Sequence, residues 1–325
     1  MELNNPYIYL TLPCMAGLFL WKRRLNGPIC RLDKDLANKI IIITGATSGI
    51  GKETARALSK MNATLILACR NREKSLDLIK ELKQESQNAN IVHMDLDLAS
   101  LKSINEFSKQ YRAKYKNLDV LINNAGLIDF RSKVLSKDGF ENQFAVNYLG
   151  HFYLTNLLAE RLIKTPQSRV INVTCSSYTS GKIKWDDLMS NQNYSPYKAY
   201  SQSKLATVLF TQTLAQRLAG SKCKPILVHP GVVRSDIQRD MPKVWYLQTL
   251  KFIQAPFWYF FTRTPWQGAQ GLIHATLQDY DKLEPGAYYT DFKKKELTKE
   301  ALNEQEANKL WKKSMELLLE KRIVL

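Results

Sequence analysis

Acidic residues are scarce in this chain relative to basic ones. Thirty Asp and Glu stand against 47 Lys and Arg, a formal net charge of +17. That imbalance invites a nucleic-acid partner, but the cations are spread along amphipathic stretches and no DNA- or RNA-recognition motif is present, so no nucleic acid is expected. A basic surface also suits anionic membranes and phosphorylated cofactors. Cysteine is sparse too: Cys14, Cys30, Cys69, Cys175 and Cys223 are odd in number and lack paired metal-ligand spacing. This argues against a metal site and for a reducing compartment. No stretch is low in complexity or rich in Gly and Ser, and no internal repeat is evident. With 45% hydrophobic residues over 325 positions, disorder is excluded and one large core is expected.

A long apolar run is also missing. The uncharged stretch "YIYLTLPCMAGLFLW", Tyr7 to Trp21, is followed directly by Lys22, Arg23 and Arg24. As a helix it reaches roughly 22 Å against a hydrocarbon thickness of ~30 Å, which is marginal for a full span. Glu2 rather than a cation precedes it, against a cleaved signal peptide. Residues 1–24 are therefore expected to be an apolar membrane-anchor segment, with an arm packed on the protein itself as the alternative. If the run inserts, its basic flank keeps the remainder cytosolic. Residues 25–37 are expected to be a linker and 38–325 a single domain.

From Lys39 onward short apolar runs alternate with amphipathic stretches of helical length. "KIIIIT" (39–44), "ATLILAC" (63–69), "NIVHM" (90–94), "LDVLIN" (118–123), "RVINVTC" (169–175) and "KPILVH" (224–229) are nearly continuous apolar strands. Such strands are buried on both faces, as in a parallel sheet covered by helices. Helices are expected at 51–60, 73–85, 101–115, 140–163 and 197–218, then in "TPWQGAQGLIHATL", with a strand near "GAYYT" and a last helix over 298–319. The fold class is α/β: a Rossmann-type doubly wound parallel sheet of about seven strands with helices on both faces.

"TGATSGIG" (44–51) lies between the first strand and the first helix, the context that gives a glycine motif meaning. Gly45 permits the tight turn, Gly49 lets the backbone approach a pyrophosphate, and Gly51 allows close packing, with the helix N-terminus facing the phosphate charge. The second strand ends in Cys69 and Arg70, where an Asp or Glu would accept from a free ribose hydroxyl. Arg70 suits a 2′-phosphate, so NADP(H) is favoured over NAD(H). Tyr200 and Lys204, four apart in a helical segment, project from one face. An ammonium about 4 Å from a phenol, at an effective dielectric near 20, is worth roughly 4 kcal/mol, or ~3 pKa units, which would bring Tyr200 toward neutrality.

With "NNAG" (123–126), "VNYLGHF" around Asn147, "YSQSK" (200–204) and "HPGVVRSD" (229–236), the glycine turn makes five motifs in order. Over roughly residues 37–290 the chain resembles the short-chain dehydrogenases/reductases, in particular the retinol dehydrogenase branch, and in its 190–235 region a polyprenol dehydrogenase of the same family. The resemblance implies cofactor contacts from Gly45, Thr47, Ser48, Gly49, Ile50 and Gly51, from Arg70 and Asp97 (Asp95 in a register slipped by two), and from Asn124, Ala125 and Gly126. Tyr200, Lys204, Pro230, Gly231, Val233 and Ser235 complete that set. It implies that Tyr200 exchanges a proton with the substrate oxygen, that Lys204 lowers its pKa and binds the nicotinamide ribose, and that Asn147 holds a water behind Lys204.

At one position the pattern departs. A serine 25 residues before the tyrosine fixes the substrate oxygen in the retinol branch, and counting back from Tyr200 lands on Cys175. Three alternatives stand: Cys175 substitutes with a longer, weaker S–H donor; Ser176 or Ser177 serves instead; or the site is crippled. Strand periodicity puts Ser176 on the opposite face from Cys175, and Ser177 on the same face, if the extension persists.

Residues 236–264, expected to form a lid, carry Trp245, Tyr246, Phe252, Phe257, Trp258 and Tyr259 among other apolar side chains. That composition points to a hydrophobic small-molecule substrate such as a retinoid, polyprenol or other lipid, entering from a membrane surface, with the endoplasmic reticulum or lipid droplet as location. Rival readings are a cofactor-binding scaffold without turnover and a soluble reductase of small carbonyls. A homo-oligomer is compatible with all of these.

Overall fold

The computed structural model describes residues 21–22, 25–87, 90–130, 132–234 and 260–321. Residues 7–20 of the expected anchor, Ser235 and positions 236–259 of the expected lid lie outside them.

Eight strands form one sheet in the order β3-β2-β1-β4-β5-β6-β7-β8. β1 (Ile40–Thr44), β2 (Thr64–Cys69), β3 (Ile91–Asp95), β4 (Val120–Asn123), β5 (Ser168–Val173), β6 (Cys223–His229) and β7 (Tyr288–Thr290) pair in parallel. Ile41, Ile42 and Ile43 show why the central strands read as unbroken apolar runs. All three are wholly buried, and their alternating side chains enter two cores on opposite faces of the sheet. Each such burial is worth about 1.5–3 kcal/mol.

Helices α1 (Gly49–Ser59), α2 (Arg72–Ser86) and α6 (Pro265–Leu277) close over one face. On the other lie α3 (Leu101–Lys114), α4 (Gly150–Lys164), α5 (Pro196–Arg217) and α7 (Glu304–Glu320). Local chemistry sets where several begin. Asn71 accepts from the Lys74 amide at the start of α2, and Thr264 and Gln267 form a reciprocal capping box at the start of α6.

The sheet exceeds the expected seven strands by β8 (Lys293–Lys295), antiparallel to β7. Its sequence, three exposed lysines, has no apolar face to announce a strand. Lysine on an edge strand also discourages pairing with a further chain. The helix expected over 140–163 is divided. A turn at Asn142–Phe144 leads into a π-helical turn, Ala145–Leu149, before α4 begins. A five-residue π turn is too short for its different period to show in the apolar spacing.

Chain order reverses direction between β1 and β4: β2 and β3 extend the sheet on one side of β1, and β4 onward on the other. The crevice at the carboxyl ends of these two strands is where open α/β sheets bind ligands.

Candidate active site

A cleft of about 590 Å³ opens at that crevice. One end is built from the turn between β1 and α1. Gly45 and Gly49 take φ of +65° and +55°, and the Cβ of an alanine at position 51 would lie 2.4 Å from the Gly45 carbonyl oxygen. Gly45 and Gly51 are therefore sterically required, and the φ of Gly49 favours glycine. The Asn124 side chain donates to the Thr44 carbonyl at 2.9 Å, and the amides of Asn124 and Ala125 both donate to Thr44 Oγ1, at 2.9 and 3.0 Å. β4 thereby buttresses the glycine turn. Ser48 makes no side-chain cap bond and the first turn of α1 has no acidic residue, so the positive end of the helix faces the cleft uncompensated. Its surroundings fit the phosphates of a dinucleotide.

Thr47, Ser48, Ile50, Gly51, Asn124 and Gly126 all line this cleft, as do Pro230, Gly231 and Val233 beyond β6. Arg70 lines its outer rim and is exposed. Asp97 is also at the rim, accepting from the Ala99 amide and paired with Lys137 at 2.8 Å. Asp95 is turned to Arg72 and His93 and does not line the cleft. Asn71 and Lys74, absent from the expected set, stand beside Arg70. Their positions one and four residues after Arg70, where α2 starts, were the available signal.

At the other end Tyr200 and Lys204 reach the cleft from α5, and both are buried. Tyr200 Oη lies 3.3 Å from Cys175 Sγ. The strand extension ends there: Cys175 is still extended, but Ser176–Ser180 is a 3-10 turn. The alternation that would have put Ser177 on the face of Cys175 consequently does not apply. Ser176 is exposed and Ser177 half-buried; both line the cleft, but Cys175 holds the bond to the phenol.

Lys204 Nζ donates to the Val173 carbonyl at 3.3 Å and stands 5.7 Å from the centre of the Tyr200 ring. The expected lowering of the Tyr200 pKa by this ammonium is not found. Burial, with Cys175 adding to it, pushes the phenol well above its ordinary value of 10. Desolvation likewise lowers Lys204 from 10.5, opposed by Cys175. Attraction between the two charges is outweighed because the folded chain removes both groups from water.

Asn147 lies in the π-helical turn. Its side chain accepts from the Leu127 amide at 2.8 Å and donates to the Leu127 carbonyl and Ser203 Oγ, at 2.9 and 3.0 Å. It thus pins the loop after β4 to α5. Its own carbonyl receives Thr207 Oγ1 at 3.3 Å and His151 Nδ1 at 3.2 Å.

His151 was missed. Since a carbonyl cannot donate, Nδ1 carries the proton and Nε2 is left to accept from Thr44 Oγ1 at 3.0 Å. Burial holds its pKa down at about 4, so it is neutral at physiological pH. His229, at the end of β6, lines the cleft with its pKa lowered to about 4, again mainly by burial. Tyr197, three residues before Tyr200 on the same helix face, lines the mouth. Its hydroxyl lies 3.0 Å from Ser180 Oγ, a bond that is the main cause of its lowered pKa.

Together these groups can present a neutral proton donor beside a thiol and a buried amine, at the far end of a cleft suited to phosphates. Among the described residues no helix is long and apolar enough to cross a membrane.

Residues 39–244 match the model for the short chain dehydrogenase family. Retinol dehydrogenase 12 of Bos taurus is 38% identical over 317 residues, 96% of this chain and 94% of that protein. Retinol dehydrogenase 11 of Homo sapiens is 37% identical over 98% of each chain. Among solved structures, an uncharacterised protein from Mycobacterium paratuberculosis has a TM-score of 0.70 at 32% identity, covering 90% of this chain and 97% of that one. RhlG of Pseudomonas aeruginosa, solved as an NADP active-site complex, has a TM-score of 0.61 at 22% identity over 78% and 94%, a likeness of fold alone.

Proposed function

Because the chain belongs to the short-chain dehydrogenase family, in its retinol-dehydrogenase-like branch, it is an oxidoreductase of alcohols or carbonyls, and we propose that it is NADP(H)-dependent with a hydrophobic lipid substrate. The observation that carries the proposal is the buried Tyr200 hydroxyl, 3.3 Å from Cys175 Sγ, in the same cleft as the glycine turn.

A nicotinamide cofactor held in this cleft would supply or receive the hydride. Tyr200 gives its proton to the substrate oxygen during carbonyl reduction and takes it back during alcohol oxidation. Its raised pKa keeps it protonated, which suits the donor role and therefore reduction. Cys175 orients the substrate oxygen toward Tyr200 through its S–H. Lys204 holds the cofactor ribose, and Asn147 keeps the loop after β4 and α5 in register behind it. Gly45 to Gly51 and the start of α1 receive the pyrophosphate. Arg70, assisted by Lys74, receives the 2′-phosphate, and Asp97 the adenine. A hydrophobic substrate is supported by the apolar rim of Leu127, Ile128, Phe130 and the exposed Val232, by the aromatic composition of 236–259, and by relatives named for retinol. The apolar run before Lys22 and the exposed Trp21 support docking on a membrane surface, with the endoplasmic reticulum or lipid droplet as site and the catalytic domain cytosolic.

Oxidation of NADPH by the full chain with a panel of aldehydes, retinal and polyisoprenoid aldehydes against short aliphatic ones, is the test. Lipid aldehydes should turn over fastest, and Tyr200→Phe should slow them by about 10²–10⁴-fold. NADPH binding without turnover of any aldehyde would leave only a cofactor-binding scaffold. Equal rates on short and long aldehydes would overturn the lipid substrate.

A further inference from the structure

Arg263 lies near the end of the stretch expected to form a lid, and its backbone bonds to the chain just before that stretch. The Arg263 amide donates to the Val232 carbonyl at 2.7 Å, and the Arg234 amide to the Arg263 carbonyl at 2.9 Å. Its guanidinium runs inward, with only 11% of the side chain exposed, and meets three separate parts of the chain. Nε donates to the Leu25 carbonyl at 2.8 Å, and Nη1 to the Pro230 carbonyl at 3.2 Å. Nη1 and Nη2 hold the two oxygens of Asp291 at 2.7 and 3.1 Å. Asp291 has a φ of +51° in the two-residue turn between β7 and β8.

Two glycines make room for this arrangement. A Cβ at Gly27 would lie 2.7 Å from Arg263 Cζ, and one at Gly231 2.7 Å from Nε; both residues also have positive φ. Lys22 adds a second tie, donating to the carbonyls of Phe260 and Thr262 at 2.5 and 3.2 Å, while the Trp21 ring packs edge-on against Phe260 and Phe261. The segment expected to be a free linker is thus bonded to the same residue that shapes the Pro230–Gly231 corner of the cleft.

We propose that Arg263 is a positioning residue that ties the Pro230–Gly231 corner of the cofactor cleft to the segment around Leu25–Gly27, so that cofactor affinity depends on how that segment is seated. The dependence on cofactor rests on the dinucleotide function proposed above; the tie itself does not. A planar guanidinium satisfies acceptors in several directions at once from one rigid group. Lysine at this position would keep the charge opposite Asp291 but lose the fork.

Full-length Arg263→Lys, Arg263→Met and Gly27→Ala proteins test it by two readouts. Amide hydrogen exchange without cofactor should quicken at 231–234 and at 263 in all three, by about tenfold for loss of one hydrogen bond's worth of protection. The NADPH dissociation constant, from fluorescence, should rise by about tenfold, with kcat at saturating NADPH held within about threefold. Gly27→Ala is the telling variant, because Gly27 does not line the cleft and is none of the proposed cofactor contacts. Unchanged exchange at 231–234 in both Gly27→Ala and Arg263→Lys would overturn the tie. Faster exchange with unchanged NADPH affinity would overturn its link to the cofactor. Absence of NADPH affinity in the unsubstituted protein would count against the dinucleotide function, and the exchange result would still judge the tie. Should Arg263→Met fail to fold, the two milder variants decide.

Discussion

Gly45, Gly51 and Asn124 shape the end of the cleft proposed to receive phosphate through backbone geometry: positive φ, a carbonyl 2.4 Å from where a Cβ would stand, and amides converging on Thr44. Tyr200, Cys175 and Lys204 hold the reacting end through side chains whose properties depend on how deeply they are packed. The first kind of site is a matter of sterics and tolerates almost no substitution. The second is a matter of electrostatics, where exchange of one donor for another changes rates by degrees.

The sharpest way to break the phosphate end is Gly51→Val. Two branched methyls would have to enter a space already closed to a single Cβ, which costs at least about 1–3 kcal/mol of overpacking. Loss of measurable NADPH binding by calorimetry is expected, with a lowered melting temperature. Retained binding would show that the turn does not need the close approach.

At the reacting end the largest effect is one of pH. The Tyr200 pKa is raised, so the protonated phenol dominates at every pH below that value, which lies above 10. Reduction, which draws on the proton, should be flat from about pH 6 to 9. Oxidation, which needs the phenolate, should climb about tenfold per pH unit over the same range. Steady-state rates in both directions check this. A rise that levels off near pH 7 would mean that bound cofactor and Lys204 overcome the burial.

Arg70→Glu puts a carboxylate where the 2′-phosphate is proposed to lie, while leaving the glycine turn intact. The ratio of kcat/KM for NADPH to that for NADH should fall by about tenfold or more, the lower end being expected because Arg70 is exposed. An unmoved ratio would transfer the role to Lys74.

Cys175→Ser should have the smallest effect. A hydroxyl is a stronger donor than a thiol but shorter, and turnover should be preserved or rise by about a few-fold. Collapse of activity in this variant would show that the thiol has a role a hydroxyl cannot fill.

How much of this was legible beforehand differs between the same two regions. The β1–α1 turn could be placed from "TGATSGIG" alone, because glycine spacing between a strand and a helix has few geometric solutions. The α/β class followed from apolar runs too uniform for a sheet with a wet face. β8 was not legible, since three lysines carry no strand signal and pair only because the turn at Asp291 and Phe292, both with positive φ, folds them back on β7. His151 was hidden as well. Its bonds to the Asn147 carbonyl and Thr44 join the π-helical turn to the end of β1, a tertiary contact that the apolar pattern does not show.

The sequence by itself put Tyr200 and Lys204 together, because residues four apart on a helix share a face. Tertiary structure alone decided the direction in which the pKa values of Tyr200 and Lys204 move. Desolvation of Tyr200 and Lys204 arises from packing of β5, β6 and α5, elements far apart in the chain, and it outweighs the pairing that the local spacing suggested. The contact between Cys175 and the Tyr200 hydroxyl was decided in the same way. The 3-10 turn that begins at Ser176 ends the strand's alternation and leaves the thiol in contact with the phenol.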